Sequence, residues 1–322
     1  MAQVIPDDID FEQYLRDDED GRAKVRPASE FVDEVVQLIH GEEDETGNST
    51  PWPKVGNLLK FRPGEVSLWA GINGHGKSGA LGMVALNFLA EGAPTCIASM
   101  EMTPRKTLER MAKQAAASEK PTIEYLERFG QWTDGRLWIY AHMGQVKSDR
   151  MLAVARYCRK ELGIEHVVID SLLKCGIAPD DYAGQKNFVD ALCALARDTG
   201  LHIHLVHHIR KGESEMSAPD KFDIKGAGEI SDLVDNVLLI HRNKRKEAEM
   251  VKALAGNNLD AQEKLRMQGD TILICAKQRH FSWEGQVNLF FDKPSQQLRE
   301  GPSSTPRYID FDNGGWQQKW GR

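Results

Sequence analysis

The chain has 322 residues, with 41 Lys+Arg against 48 Asp+Glu and a formal net charge of −7. That balance argues against a protein that coats nucleic acid with a uniformly basic surface. The charge is unevenly spread, however: residues 1–50 hold 15 acidic and 4 basic side chains (a local −11), and the remaining 272 hold 33 acidic and 37 basic (a local +4). An acidic arm thus precedes a mildly basic body, which excludes a uniformly acidic enzyme and leaves room for local basic surfaces. No apolar run approaches the roughly 20 residues that span a bilayer. The opening MAQVIPDDIDFEQYL has neither the basic nor the apolar region of a signal peptide. Five cysteines without a C-x-x-C pair read as reduced, buried thiols. A cytosolic protein is the expectation.

In chain order, residues 1–28 read as an irregular acidic arm. Ser29–His40 reads as a helix with Ser29 as N-cap and Phe31, Val32, Val35, Val36 and Ile39 as its apolar stripe. Gly41–Thr50 reads as a linker, so residues 1–50 form an acidic arm with a linker helix. From residue 51 to about 300, short apolar runs alternate with helical patterns. Val66–Ala70, Thr95–Met100, Leu137–Ala141, His166–Ile169, Ile203–His207, Val237–His241 and Ile272–Ala276 read as strands. Ser78–Ala90, Pro104–Ala116, Ser148–Leu162 and Gln185–Asp198 read as helices. This alternation predicts an α/β fold with a mostly parallel central sheet flanked by helices. Residues 301–322 read as a flexible tail.

Gly71-Ile72-Asn73-Gly74-His75-Gly76-Lys77-Ser78 satisfies G-x-x-x-x-G-K-[ST], between a strand and a helix. Backbone N–H groups of such a loop cradle a β-phosphate, and the helix N-terminus favours its charge. Gly71, Asn73, Gly74, His75, Gly76, Lys77, Ser78 and Gly79 are the expected nucleotide-binding residues. Lys77 is the phosphate cation, and Ser78 a ligand of Mg²⁺. Asp170, at the end of the apolar run from His166, is the second Mg²⁺ carboxylate. Glu101 follows another strand and can act as a general base on water. His202 and His204 share one strand face. Satisfied core histidines and a metal cluster are both open for them, although ligand spacing is poor.

The ordered series of P-loop, Ser99-Met100-Glu101-Met102, Val167-Val168-Ile169-Asp170 and a strand ending His207-His208 resembles the RecA-like motor of hexameric replicative DNA helicases. It looks like the DnaB family, and more closely the helicase half of short-tailed phage primase–helicases and Twinkle, over about residues 54–300. The resemblance implies a RecA-like P-loop NTPase with Glu101 as catalytic base and His208 as γ-phosphate sensor. It also implies Lys277 and Arg279 as a finger pair acting on a neighbouring subunit's nucleotide, and Arg242 and Phe291 sandwiching the base. Arg210, Lys211, Gly212, Lys225, Gly226 and Gly228 match the family's DNA loops. The implied substrate is ATP or dTTP with Mg²⁺, and the implied partners are single-stranded DNA and five further copies of the chain in a hexameric ring. A separate primase is expected because no primase domain precedes the motor. Tyr308–Asp312 resembles the acidic, aromatic tails by which phage helicases touch their polymerase, which implies a polymerase as partner. Two features depart from the family: Ser171 follows Asp170, and the basic Arg242–Lys246 leads into an enlarged charged helix over 247–265. Three other readings stay open: a DNA-dependent ATPase of recombination or plasmid replication, a KaiC-like signalling ATPase, and a loader-like subunit.

Overall fold

The computed structural model describes residues 3–5, 14, 27–40, 47–209, 216, 227–280 and 282–318. Seven neighbouring strands are parallel: β1 (Gln3–Ile5), β4 (Leu137–Tyr140), β3 (Thr95–Ser99), β5 (His166–Asp170), β6 (His202–His208), β2 (Val66–Gly71) and β7 (Asn236–Arg242), in that spatial order. The sheet continues antiparallel through β8 (Thr271–Gln278), β9 (Gly285–Asp292) and β10 (Gln297–Arg299). β2, β3 and β5 are buried at every position, as strands covered on both faces must be.

One apolar core lies under α6 (Ser148–Leu162), α7 (Tyr182–Thr199) and α8 (Ala227–Leu233). The other lies under α3 (Lys77–Ala90), α4 (Pro104–Ala116) and α5 (Ile123–Thr133). The helix ends follow local chemistry. Pro104 opens α4, the Asp181 carboxylate accepts the Gly184 N–H at the start of α7, and Gly163 and Gly200 close α6 and α7 at positive φ.

The two ends of the chain differ from the reading of the sequence. Within the acidic arm, Gln3–Ile5 pairs with β4, and the Tyr14 ring meets Tyr157 edge-on at 5.4 Å. Ser29 does not cap a helix: Ala28–Phe31 is a 3-10 turn, and α1 proper is Val32–His40, with Val32, Val35 and Val36 exposed. The side chains of Phe31 and Ile39 lie outside the described residues. A short α2 (Pro53–Gly56) follows. The charged stretch 247–265 is two helices, α9 (Lys244–Ala255) and α10 (Leu259–Arg266), broken at Asn257 with φ +49°. The expected tail is ordered where described. β11 (Arg307–Ile309) and β12 (Trp316–Gln318) form a hairpin with Ile309 fully buried, and Trp316 Nε1 donates to Asn87 at 3.0 Å.

The histidines on β5 and β6 form a hydrogen-bonded ladder in an aromatic setting. Trp69 Nε1–H donates to His204 Nδ1 at 3.2 Å, which leaves the proton of His204 on Nε2, directed at His166 Nδ1 at 3.2 Å. His166 Nε2–H then donates to Asn48 Oδ1 at 2.8 Å. His202 Nδ1–H donates to the Arg62 carbonyl at 2.6 Å, and its Nε2 accepts from Ser67 at 2.9 Å. One neutral tautomer satisfies each ring. These protein partners fit the reading of satisfied core histidines.

Burial drives all three histidines toward the neutral form, His202 down to about 4. A folded pKa below the unfolded value of about 6.5 gives stability that is complete above pH 6.5 and is lost as pH falls toward 4, because the unfolded chain then binds more protons. Between pH 7 and pH 5, His202 alone is expected to remove about 2 kcal/mol. Urea unfolding at both pH values checks this. His202→Gln, which can make both hydrogen bonds without titrating, should flatten the loss by about that amount.

Candidate functional site

β2 delivers the phosphate loop to the C-terminal edge of the sheet. Gly71 is required by a close approach: a Cβ there would lie 2.5 Å from the Ile240 carbonyl oxygen. Gly74 and Gly76 adopt φ of +79° and +95°, the left-handed region that lets the loop curl around a ligand. Lys77 opens α3 and is buried. Its Nζ donates to the carbonyls of Gly71 at 2.7 Å and Ile72 at 3.1 Å. Burial lowers its pKa to about 8, against the opposing pull of Asp170 and Glu101. His75 is buried beside the smaller space next to the loop, and its Nδ1 accepts the Arg242 N–H at 3.1 Å.

Three strand ends supply the remaining groups. Asp170 ends β5, and its Oδ2 accepts the Ser78 hydroxyl at 2.6 Å, so two hard oxygen donors meet where Mg²⁺ would bind. Burial raises the Asp170 pKa, with the Ser78 hydrogen bond opposing. Glu101 follows β3, with its side chain 44% exposed. His208 ends β6, its Nε2 3.2 Å from Ser171 Oγ and 3.9 Å from Glu101 Oε1. Burial, reinforced by the Lys77 charge, lowers the His208 pKa to about 4 and keeps the ring neutral near pH 7.

Lys77, Ser78, Glu101, Asp170 and His208 line one cavity of about 500 Å³. A second cavity of about 300 Å³ adjoins it, sharing Gly74, Gly76, Gly79, Phe291 and Gln296, and it carries Arg242 and Glu247 on its wall. Arg242 and Phe291, far apart in sequence, thus face one space beside the phosphate loop. Arg110 on α4 also lines the larger cavity. Burial opposes its charge, Asp170 supports it, and no hydrogen bond or salt bridge holds its guanidinium among the described residues. Sequence reading missed Arg110 because Thr107-Leu108-Glu109-Arg110-Met111 looks like any amphipathic helix. Its one signal is a cation adjoining the apolar face of the helix that follows Glu101.

Lys277 and Arg279 are not brought to this cavity. They sit at the opposite end of the sheet, where Gln278 pairs with Asn236 at the start of β7. Lys277 Nζ donates to the carbonyls of Ser231, Asp232 and Val234 at 2.8, 3.0 and 2.8 Å, closing the C-terminus of α8. Arg279 Nε lies 3.2 Å from Asp235 Oδ1. Of the expected DNA residues, Arg210, Lys211, Gly212, Lys225 and Gly226 lie outside the described residues, and Gly228 falls in α8. No helix among the described residues is long and apolar enough to cross a membrane.

Comparison with known proteins is consistent with this geometry. A family described as "AAA domain" matches residues 41–214, just over half of the chain. The chain is 23% identical over 209 residues to the "DNA helicase/primase" of Enterobacteria phage T3, covering 58% of this chain and 37% of that protein. It is 24% identical over 241 residues to the "Twinkle homolog protein, chloroplastic/mitochondrial" of Arabidopsis thaliana, covering 68% and 34%. The chain therefore spans about a third of the length of the curated relatives it matches. Among solved structures it superposes on an isolated ATPase domain with a TM-score of 0.69 at 16% identity, covering 88% of this chain and 99% of that one. It also superposes on a DnaB-like replicative helicase solved for its interactions with primase, with a TM-score of 0.67 at 16% identity, covering 86% and 69%. These likenesses establish the fold as that of a RecA-like ATPase domain.

Proposed function

The chain belongs to the AAA domain family, and from that premise we propose that it is the motor of a ring-shaped replicative DNA helicase. It hydrolyses ATP (or dTTP) to translocate on single-stranded DNA and part a duplex, in the cytoplasm of a bacterium or a phage-infected cell. The observation that carries the reading is the convergence of Lys77, Ser78, Glu101, Asp170 and His208 on one cavity, while Lys277 and Arg279 stand at the far end of the sheet. Among the described residues these two cations do not reach the site of their own chain, and in this reading a second copy supplies them, as in a ring with sites between subunits, here a hexamer.

Lys77 and the loop amides bind the β- and γ-phosphates. Ser78 and Asp170 would hold Mg²⁺, which neutralises phosphate charge when bound. Glu101 takes a proton from the attacking water as oxygen bonds to the γ-phosphorus and the bridging oxygen departs on the diphosphate. Neutral His208 donates a hydrogen bond to a γ-oxygen and reports its departure to β6, which leads into the DNA loops. Arg210, Lys211, Gly212, Lys225, Gly226 and Gly228 contact the strand in this reading. A separate primase and a polymerase complete the replisome. The test is ATP hydrolysis with and without single-stranded DNA, alongside unwinding of a forked duplex. DNA-stimulated hydrolysis without unwinding would favour a recombination or plasmid-replication ATPase. Hydrolysis indifferent to DNA would favour a signalling ATPase.

Arg110 offers a further check. A half-buried guanidinium facing the phosphate cavity, with Asp170 near but no salt bridge or hydrogen bond among the described residues, fits an anionic ligand. Arg110→Ala is expected to weaken ATP binding roughly 10- to 100-fold, the range of a charge-assisted hydrogen bond. Calorimetry with a slowly hydrolysed ATP analogue reads this out, and an unchanged affinity removes Arg110 from the site.

A further inference from the structure

The α9–α10 insertion has no part in the phosphate chemistry above, yet its first turn abuts the smaller cavity. Consecutive residues there reach the two walls of that cavity. Glu247 Oε1 accepts from Arg242 Nε, and its other oxygen accepts from Lys244 at 3.2 Å. This pairing holds the Arg242 guanidinium by its Nε edge on the wall of the smaller cavity. Lys246 is buried and pairs with Asp270 Oδ1 at 2.6 Å, and Asp270 Oδ2 accepts the Phe291 N–H at 2.9 Å. Phe291, opposite, is 46% exposed, a large aromatic ring left open to the same space. The turn itself is rigid: Asn243 Oδ1 caps Lys246 N–H at 3.0 Å, while the Asn243 N–H donates to the Asp270 carbonyl at 2.8 Å.

We propose that the first turn of α9 is the support of the nucleobase clamp: Glu247 orients Arg242, and Lys246 acts through Asp270 on Phe291, so that a planar base is gripped between the two. The inference rests on the nucleotide-binding reading of the adjoining phosphate cavity. A clamp of a guanidinium face and a phenyl face grips any flat heteroaromatic ring. Both Asp270 oxygens are already engaged, and Glu247 is paired on both oxygens. Arg242 and Phe291 are thus the two flat groups on the cavity wall, and the ligand class is nucleoside triphosphates. Glu247 is a positioning residue: it acts through Arg242.

The test compares ligands with and without a base on the full chain. Dissociation constants are measured by calorimetry for ATPγS, which carries a base, and for inorganic tripolyphosphate, which does not. Glu247→Ala should weaken ATPγS about tenfold, the scale of one charge-assisted contact, and tripolyphosphate less than twofold. Glu247→Gln, which can still accept from Arg242, should recover most of the loss. In an Arg242→Ala background, Glu247→Ala should add nothing, because the two act as one unit. Equal weakening of both ligands, additive effects in the double variant, or an unchanged ATPγS affinity would each overturn the clamp. These are binding measurements, so a wild-type chain that binds nucleotide but does not unwind DNA sinks the helicase reading and leaves the clamp to be decided by them.

Discussion

Glu101→Gln is expected to lower kcat for ATP by about 10²- to 10⁴-fold, the usual contribution of a positioned general base. That corresponds to about 3–5 kcal/mol of barrier. The substitution keeps the shape and one acceptor oxygen but cannot take a proton. Glu101 suits such a clean test because its side chain is 44% exposed. Asp170 does not: it is buried and holds the Ser78 hydroxyl, so its removal would disturb metal binding and loop position together. ATP affinity of Glu101→Gln should stay within a few fold, since Lys77, Ser78 and the loop amides are untouched. DNA binding in the presence of ATP should persist or lengthen, because the nucleotide is no longer consumed. Single-turnover hydrolysis separates these effects. A variant that keeps more than about a tenth of wild-type turnover would show that another group takes the proton.

The distance along the chain over which each feature is specified explains what was legible beforehand. The parallel strands β2 to β7 were legible because each is a local apolar run, whereas β1, three residues within the acidic arm, was not. β5, predicted as His166–Ile169, is His166–Asp170, and β3, predicted to Met100, ends at Ser99. The phosphate loop was legible for the same reason, as eight adjacent residues. Features assembled by folding were not. β11 and β12 are three residues each, too short for a period to register, and they are held by Trp316 against Asn87 on α3 and by Phe311 against Tyr125 and Trp132 on α5. A run of polar and glycine residues carries no trace of those contacts. The 247–265 helix looked continuous because its charge pattern is uniform, but Gly256-Asn257-Asn258 lets the chain reverse, with Asn258 capping Ala261 N–H at 3.0 Å. Arg242 and Phe291 were paired through family resemblance. That both line one cavity, with Phe291 N–H held by Asp270 and Asp270 by Lys246, is visible only in three dimensions.

Arg279→Ala is expected to cut hydrolysis by about 10³- to 10⁵-fold, the worth of an arginine finger, while leaving nucleotide binding by the same chain intact. The argument is one of position. β2 runs six residues from Val66 to the phosphate loop, which at about 3.3 Å per residue puts the loop roughly 20 Å from the end where Arg279 meets Asp235. No side chain spans that gap within one chain. Asp235 keeps its bond from Val66 N–H at 2.9 Å after the substitution, so the fold has reason to survive it. Mixing then distinguishes a shared site from a self-contained one. Lys77→Ala chains lack the phosphate cation but carry an intact Arg279, and Arg279→Ala chains carry an intact Lys77. In an equal mixture of a head-to-tail ring, about a quarter of the interfaces unite an intact Lys77 with an intact Arg279. Two inactive preparations should therefore regain measurable ATPase activity on mixing and DNA addition, up to about that fraction if subunits fire independently. If Arg279 acted within its own chain, every subunit in the mixture would remain defective. A mixture as inactive as its components would thus reject the shared site, and with it the ring as the reason why Lys277 and Arg279 stand so far from Lys77.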